Sequence, residues 1–288
     1  MSNLATASGS MRPPFLILTP ACLLLGIGNT LHAGHSLDLL ITALVIIAGL
    51  SAHASVNLFN EYSDFKSGLD LKTVRTPFSG GSGTLPSNPT LTKTVLALAI
   101  VTLLITIVSG LYLSWLRGWE LLAMGLTGVI LILFYTKWVN RWAWLCLIAP
   151  GLAFGPIMVV GTELALSGQI SITGMVTSLV PFFVVNNLLL LNQVPDVEAD
   201  KSVGRNHFPI RFGFQKTVIM HQIFSSLTVI TLVAAYVYNL IPVLSLIALL
   251  PVAINLRSIS EENLKPRMAF NVMTAITAPA LTAGAMLF

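Results

Sequence analysis

Six of the eleven Asp and Glu residues of this 288-residue chain sit in two short stretches, each placed where a long apolar run ends. The first, residues 57–70, reads Asn57-Leu-Phe-Asn60-Glu61-Tyr-Ser-Asp64-Phe-Lys66-Ser-Gly68-Leu-Asp70. The second, residues 192–201, reads Asn192-Gln-Val-Pro195-Asp196-Val-Glu198-Ala-Asp200-Lys201. Residues four apart share a helix face, so Asn60 stacks on Asp64, and Asn192, Asp196 and Asp200 form a second ridge. Oxygen-rich ridges of this kind suit a hard divalent cation such as Mg²⁺, which takes one or two carboxylates and leaves its other positions to water and substrate phosphate. Lys66, Arg75, Lys201 and Arg205 follow the two ridges closely in the chain. Two facing ridges with such bases would bind a diphosphate bridged by Mg²⁺. Asn60, Asp64, Asn192, Asp196 and Asp200 are therefore the candidate metal ligands, and the four bases are candidates for the diphosphate oxygens.

The elements that must position these groups are membrane helices. The chain is 55% hydrophobic and 9% charged with a mean hydropathy of +0.85, whereas a soluble domain carries about 25% charged residues. Apolar runs of about 20 residues, enough to cross a hydrocarbon core as helix, recur along the whole length. They do not alternate as barrel strands would. Spanning helices are predicted at roughly 15–34, 37–62, 91–116, 119–136, 143–166, 172–195, 215–239, 241–257 and 267–287. This is an all-α membrane protein of nine transmembrane helices in one domain covering 1–288. The bases test that reading, because Lys and Arg collect in cytoplasmic loops. With the N-terminus inside and the C-terminus outside, fourteen of the 15 Lys and Arg residues fall on the inner side and only Arg117 on the outer. The expected location is the inner (cytoplasmic) membrane, as a multi-pass protein in contact with lipid. Topology accounts for the net charge of +4, so no nucleic-acid partner is expected. The first apolar run lacks a small-residue cleavage site and reads as an anchor and not a removable signal. Cys22 and Cys146 lie inside apolar runs, which argues against a disulfide framework.

Both acidic stretches then face the cytoplasm, with their first aspartates, Asp64 and Asp196, 132 residues apart. Four helices separate them, an even number that preserves orientation, consistent with a duplicated four-helix unit. The longest polar connection, about 64–90, centres on Phe78-Ser-Gly80-Gly81-Ser82-Gly83-Thr84-Leu85-Pro86. A segment so rich in Gly and Ser serves either as a plain linker or as a lid and phosphate cradle.

The pair of acidic stretches resembles the two aspartate-rich motifs of the UbiA superfamily of intramembrane prenyltransferases, and the resemblance covers nearly the whole chain. Gly68 and Asp70 of the first motif, together with Tyr135-Thr136, Phe154-Gly155-Pro156 and Gly161-Thr162, are similar to the menaquinone branch, which prenylates 1,4-dihydroxy-2-naphthoate. The resemblance implies an enzyme that ionises a polyprenyl diphosphate with Mg²⁺ and joins the allylic carbon to an aromatic acceptor, in quinone biosynthesis. Asp64, Asp196 and Asp200 would be its catalytic acids. Tyr135, Lys137 and Arg141, at the end of the fourth helix, would serve cation stabilisation or acceptor binding. The chain departs from that branch at Lys137-Trp138-Val139-Asn140-Arg141, at Ala149-Pro150-Gly151 and at Glu61, departures that bear on the acceptor and spare the diphosphate half. A 4-hydroxybenzoate-type or specialised acceptor is the alternative. A cation-coupled transporter is the competing class, but its paired acids would lie near the bilayer midplane on broken helices, not at helix ends beside bases. His53 and the tryptophans at 138, 142 and 144 read as packing and interfacial residues.

Overall fold

The computed structural model describes residues 3–287, and among them there are helices and no strands. The main helical segments are α1 (Pro13–His32), α2 (Leu39–Lys66), α3 (Pro89–Arg117), α4 (Trp119–Phe134), α5 (Ala143–Ser167), α6 (Ile172–Asn192), α7 (Phe208–Val237, kinked at Gly213), α8 (Val243–Asn255) and α9 (Leu264–Ala285). Seven of them are long and apolar enough to cross a membrane, which makes the chain a multi-pass membrane protein. The other two, α4 and α8, are apolar but shorter and stand where the fourth and eighth spans are expected. At about 1.5 Å per residue, the 16 residues of α4 rise only about 24 Å.

Local chemistry sets the helix ends. Asp38 caps α2 by accepting the Ile41 N–H at 2.9 Å, and Ser171 caps α6 by accepting that of Gly174 at 2.8 Å. Gly68 and Gly168, both with positive φ, terminate α2 and α5. Proline explains the main departure from the expected ridges. Asn192, Asp196 and Asp200 do not lie on one continuous helix: α6 stops at Asn192, and a new short helix, Val197–Ser202, begins after Asp196. Pro195 has no N–H to continue the ladder and disfavours helical geometry in the residue before it. The first ridge, Asn60 and Asp64, does lie on unbroken helix at the end of α2, whereas Asp70 follows Gly68 on a separate 3-10 turn, Leu69–Leu71.

A central core joins Leu18, Cys22 and Leu25 of α1 to Val159 of α5, Val184 and Val185 of α6, Leu232 of α7, Val252 of α8 and Ala278 of α9. Small residues let helices touch: a Cβ on Gly155 would lie 2.5 Å from the Ser178 carbonyl oxygen of α6. Residues 153–160 of α5 form π-helix around Pro156, a bulge that a proline inside a helix commonly requires and that recurs at functional sites. The connections carrying most of the bases converge at one end of the bundle. Arg205 pairs with Asp64, the Asn206 N–H donates to the Asn140 carbonyl at 2.8 Å, and Phe78 packs with Ile259 and Leu264. At another helix end, Arg117 donates to the carbonyls of Ala165 and Leu166 at the end of α5.

Candidate active site

The two acidic motifs meet at that convergent end, at the head of a cavity of about 500 Å³. Its polar head is lined by Arg12, Asn60, Asp64, Asp70, Asn192, Asp196, Asp200, Arg205 and His207, and by Ser79, Gly80 and Gly81 of the glycine-rich connection. Its remainder is mostly apolar and follows α2 from Asn60 back to Val45, a run of about 22 Å at 1.5 Å per residue. Phe154, Ile157 and Met158 of the π-helical segment, Gly110 and Leu113 of α3, and Leu121 and Met124 of α4 complete it.

Within the head, Arg205 ties the motifs together. One guanidinium nitrogen binds Asp64, and the other donates to Asp200 Oδ1 at 2.8 Å. His207, itself buried, shares a hydrogen bond with Asp200 Oδ2 at 2.9 Å. Both oxygens of Asp200 are therefore engaged. Asp70 Oδ2, Asn192 Oδ1 and Asp196 Oδ1 are different: all three are buried without a hydrogen-bond partner. Asp196 accepts only on its other oxygen, from the Gly80 N–H at 3.1 Å. Burial, with the like charges of Asp64 and Glu61, pushes the Asp70 carboxyl up to about 7. Burial and Asp200 push Asp196 up to about 6. Burial opposes the Arg205 charge, yet Asp64 and Asp200 hold that group above its ordinary value.

Buried oxygens with raised proton affinity and free lone pairs are what a hard cation would satisfy. Among the described residues, no three His, Cys, Asp or Glu side chains form a group able to hold a metal by themselves. That donor set fits an ion such as Mg²⁺, which keeps waters and shares substrate phosphate oxygens and needs no protein cage.

The remaining residues singled out in the sequence divide by place. Tyr135 lines the main cavity, its hydroxyl 3.8 Å from Cys146 Sγ. Asn60 accepts from the Thr136 hydroxyl at 3.1 Å. Lys66, Lys137 and Arg141 gather elsewhere, around a second pocket of about 300 Å³ that shares Asp64 and Arg205 with the first. Lys201 and Arg75 are exposed and line neither pocket; the Arg75 guanidinium lies against Gly83, where a Cβ would fall 1.2 Å from its Nη1. His53 lines the apolar part of the cavity, its Nδ1 2.8 Å from the Thr19 hydroxyl and its ring edge-on to Phe154. Trp144 meets Phe208 edge-on and Phe212 at a tilt, and all three tryptophans are exposed. The glycine-rich connection folds over the motifs and donates to Asp196. Arg12 and His207 carried no signal in the sequence, since a lone base near the N-terminus and a histidine after Asp200 acquire meaning only by contact.

Comparison with known proteins bears on the family and the fold. The sequence model of the UbiA prenyltransferase family matches residues 16–275. The 1,4-dihydroxy-2-naphthoate octaprenyltransferase of Bacillus subtilis (strain 168) is 29% identical over 185 residues, covering 64% of this chain and 58% of that protein. The matched stretch is thus less than two thirds of that relative's length. Solved structures share the fold. A UbiA homolog from Aeropyrum pernix K1 superimposes with a TM-score of 0.70 at 15% identity, covering 94% of this chain and 96% of its own. A UbiA homolog from Archaeoglobus fulgidus, bound to DMAPP and Mg²⁺, gives 0.63 at 16% identity, covering 96% and 99%.

Proposed function

Because the chain belongs to the UbiA prenyltransferase family and is a prenyltransferase, we propose that it transfers the prenyl group of a polyprenyl diphosphate to an anionic aromatic acceptor, a 1,4-dihydroxy-2-naphthoate-like acid, in quinone biosynthesis. Its setting would be the inner membrane, with the motifs on the cytoplasmic side. The observation that carries this reading is the shape and lining of the cavity: unpartnered carboxylate and amide oxygens from both motifs at its head, and a mostly apolar channel about 22 Å long behind them. The naphthoate relative and the DMAPP- and Mg²⁺-bound homolog support it.

Asp64, Asp196 and Asp200, with Asn60 and Asn192, would hold Mg²⁺, and Asp70 adds its free oxygen. Bound there, the ion supplies Lewis-acid stabilisation of the negative charge that grows on a departing diphosphate. The chain's own groups do the rest. Arg205, already aligned between the motifs, places a permanent positive charge beside that leaving group, where stabilisation counts most in the transition state. The Gly80 segment closes the head of the cavity. The apolar walls hold the prenyl tail and keep water from the allylic carbon after its bond to oxygen breaks. Tyr135, which lines the cavity, would offer an electron-rich ring to the positive charge on that carbon. The acceptor carbon supplies the electron pair for the new bond and then gives up the group it carried there, as H⁺ or, where that carbon bears the carboxylate, as CO2, while the C–O pair leaves with the diphosphate. The exposed bases Lys66, Lys137 and Arg141 surround the second pocket, which adjoins the first through Asp64 and Arg205, and they suit an acceptor carboxylate arriving from water.

The test is release of inorganic diphosphate by the purified protein with a prenyl diphosphate and a panel of aromatic acids. Release that depends on both Mg²⁺ and an acidic acceptor, with the dihydroxynaphthoate preferred and the acceptor KM raised in Arg141→Gln, is the expected result. Preference for 4-hydroxybenzoate would move the acceptor assignment, and an acceptor KM unchanged in Arg141→Gln would end the role of that base.

A further inference from the structure

Glu61 stands between Asn60 and Asp64 in the first motif, yet it lines neither pocket. One residue on from Asn60 is a turn of about 100° around the helix axis, enough to take its side chain off the cavity face. It lies instead on the face of Leu58 and Phe65, which packs on Leu85, Leu91 and Val95. There it is fully buried, and a buried carboxylate must find donors. The connection after Arg75 provides them. The Ser82 N–H donates at 3.0 Å, the Ser82 hydroxyl at 2.6 Å and the Leu85 N–H at 3.4 Å, while Arg12 Nη2 approaches to 3.9 Å. The same few residues reach the site from their other side. Gly80 donates to Asp196, and Gly81 lies so close to Asp70 that a Cβ would be 2.8 Å from Oδ1. Gly80, Gly81 and Gly83 all have positive φ, which lets the chain run between these anchors.

We propose that Glu61 is a positioning residue: its carboxylate anchors the Gly80–Gly83 segment so that this backbone forms the roof of the diphosphate end of the cavity. The proposal rests on the reading of that end as the diphosphate site. It assigns to Glu61 no contact with metal or substrate. A carboxylate is required because three donors and a nearby guanidinium converge on it. Glutamine keeps the size but loses the charge and one acceptor oxygen.

Trypsin reads the segment without substrate, because Lys72 and Arg75 are exposed and precede it directly. In the detergent-solubilised full chain, Glu61→Gln should speed cleavage after Arg75 about tenfold, the factor given by a loss of about 1.4 kcal/mol. It should raise the KM for prenyl diphosphate by a similar factor with kcat within about twofold, because a misplaced roof weakens binding before it touches chemistry. Ser82→Ala should move both in the same direction by less, and Glu61→Asp should recover part of the loss. Cleavage unchanged in both Glu61→Gln and Ser82→Ala overturns the proposal, as does a collapse of kcat with cleavage and KM unaltered. Should Glu61→Gln fail to fold, judged by cleavage throughout the chain, Ser82→Ala alone decides. Cleavage is independent of turnover, so failure of the enzymatic reading would leave this result standing by itself.

Discussion

Asp196 and Asp200 stand four residues apart but occupy different surroundings, so their removal should differ physically even where it agrees functionally. Asp64→Ala, Asp196→Ala and Asp200→Ala are each expected to abolish turnover in protein that still folds in the membrane. Asn60→Ala should only weaken the Mg²⁺ dependence, since a neutral amide contributes less than a carboxylate. Near-normal diphosphate release from any two of the three aspartate variants would refute the metal assignment. Stability separates them further. Asp200 holds Arg205 and His207, and breaking a buried pair costs roughly 3–5 kcal/mol. Asp196 keeps one oxygen free. Thermal unfolding should therefore show a clearly lower Tm for Asp200→Ala than for Asp196→Ala. The pH dependence has a definite sign. Asp70 and Asp196, raised to about 7 and about 6, bind protons more tightly folded than unfolded, so ionising them lowers the stability of the metal-free protein as pH rises from about 4 to 7. A cation competes with those protons, and its affinity rises over the same range. The increase in Tm on adding Mg²⁺ should be larger at pH 8 than at pH 5.5; an equal or reversed effect would remove these two acids from the cation site.

At the scale of elements, the π-helical part of α5 and Gly110 of α3 shape the channel. Gly155 allows α5 to lie against α6, and the Cβ of Gly155→Ala would lie 2.5 Å from the Ser178 oxygen. Overpacking of that kind costs about 1–3 kcal/mol, so a fall in Tm is expected without loss of the motifs. Gly110 is the contrasting case. It lines the cavity, and a Cβ there meets nothing within 4 Å. Gly110→Leu should be tolerated by the fold and should shorten the longest prenyl diphosphate accepted, read by mass spectrometry of products from donors of increasing length. An unchanged product range would show that the chain runs elsewhere. The break at Pro195 also acts at this scale: it frees Asp196 from the line of α6 and lets the glycine-rich segment reach its carboxylate.

For the whole molecule, the base-bearing connections gather at one end and Arg117 caps the end of α5. Fourteen bases on one side predict that Ser82, Asn206 and Glu262 face the cytoplasm and that Ser167 and Phe288 face away; Phe288 lies outside the described residues. Single cysteines placed at these positions, after replacement of the buried Cys22 and Cys146, should be labelled from outside intact cells only at 167 and 288. Labelling at 206 or 262 would invert the orientation.

The sequence by itself determined the helical membrane architecture, the two motifs and the family, because hydropathy, charge bias and residue spacing are local properties that survive without coordinates. It placed Asn60 and Asp64 on one helix face, and α2 carries them there. Contacts between segments distant in the chain were decided only by tertiary structure. Four bases were equivalent candidates for the diphosphate, yet packing brings Arg205 alone of them into the main cavity, sends Lys66 to the second pocket and leaves Arg75 and Lys201 outside both. The role of a charged side chain depends on which opposite charges lie within a few ångströms, and that distance is set by how helices pack. For the same reason His207 and the donors that saturate Glu61 could be read only once α2, the glycine-rich connection and the start of α7 stood side by side.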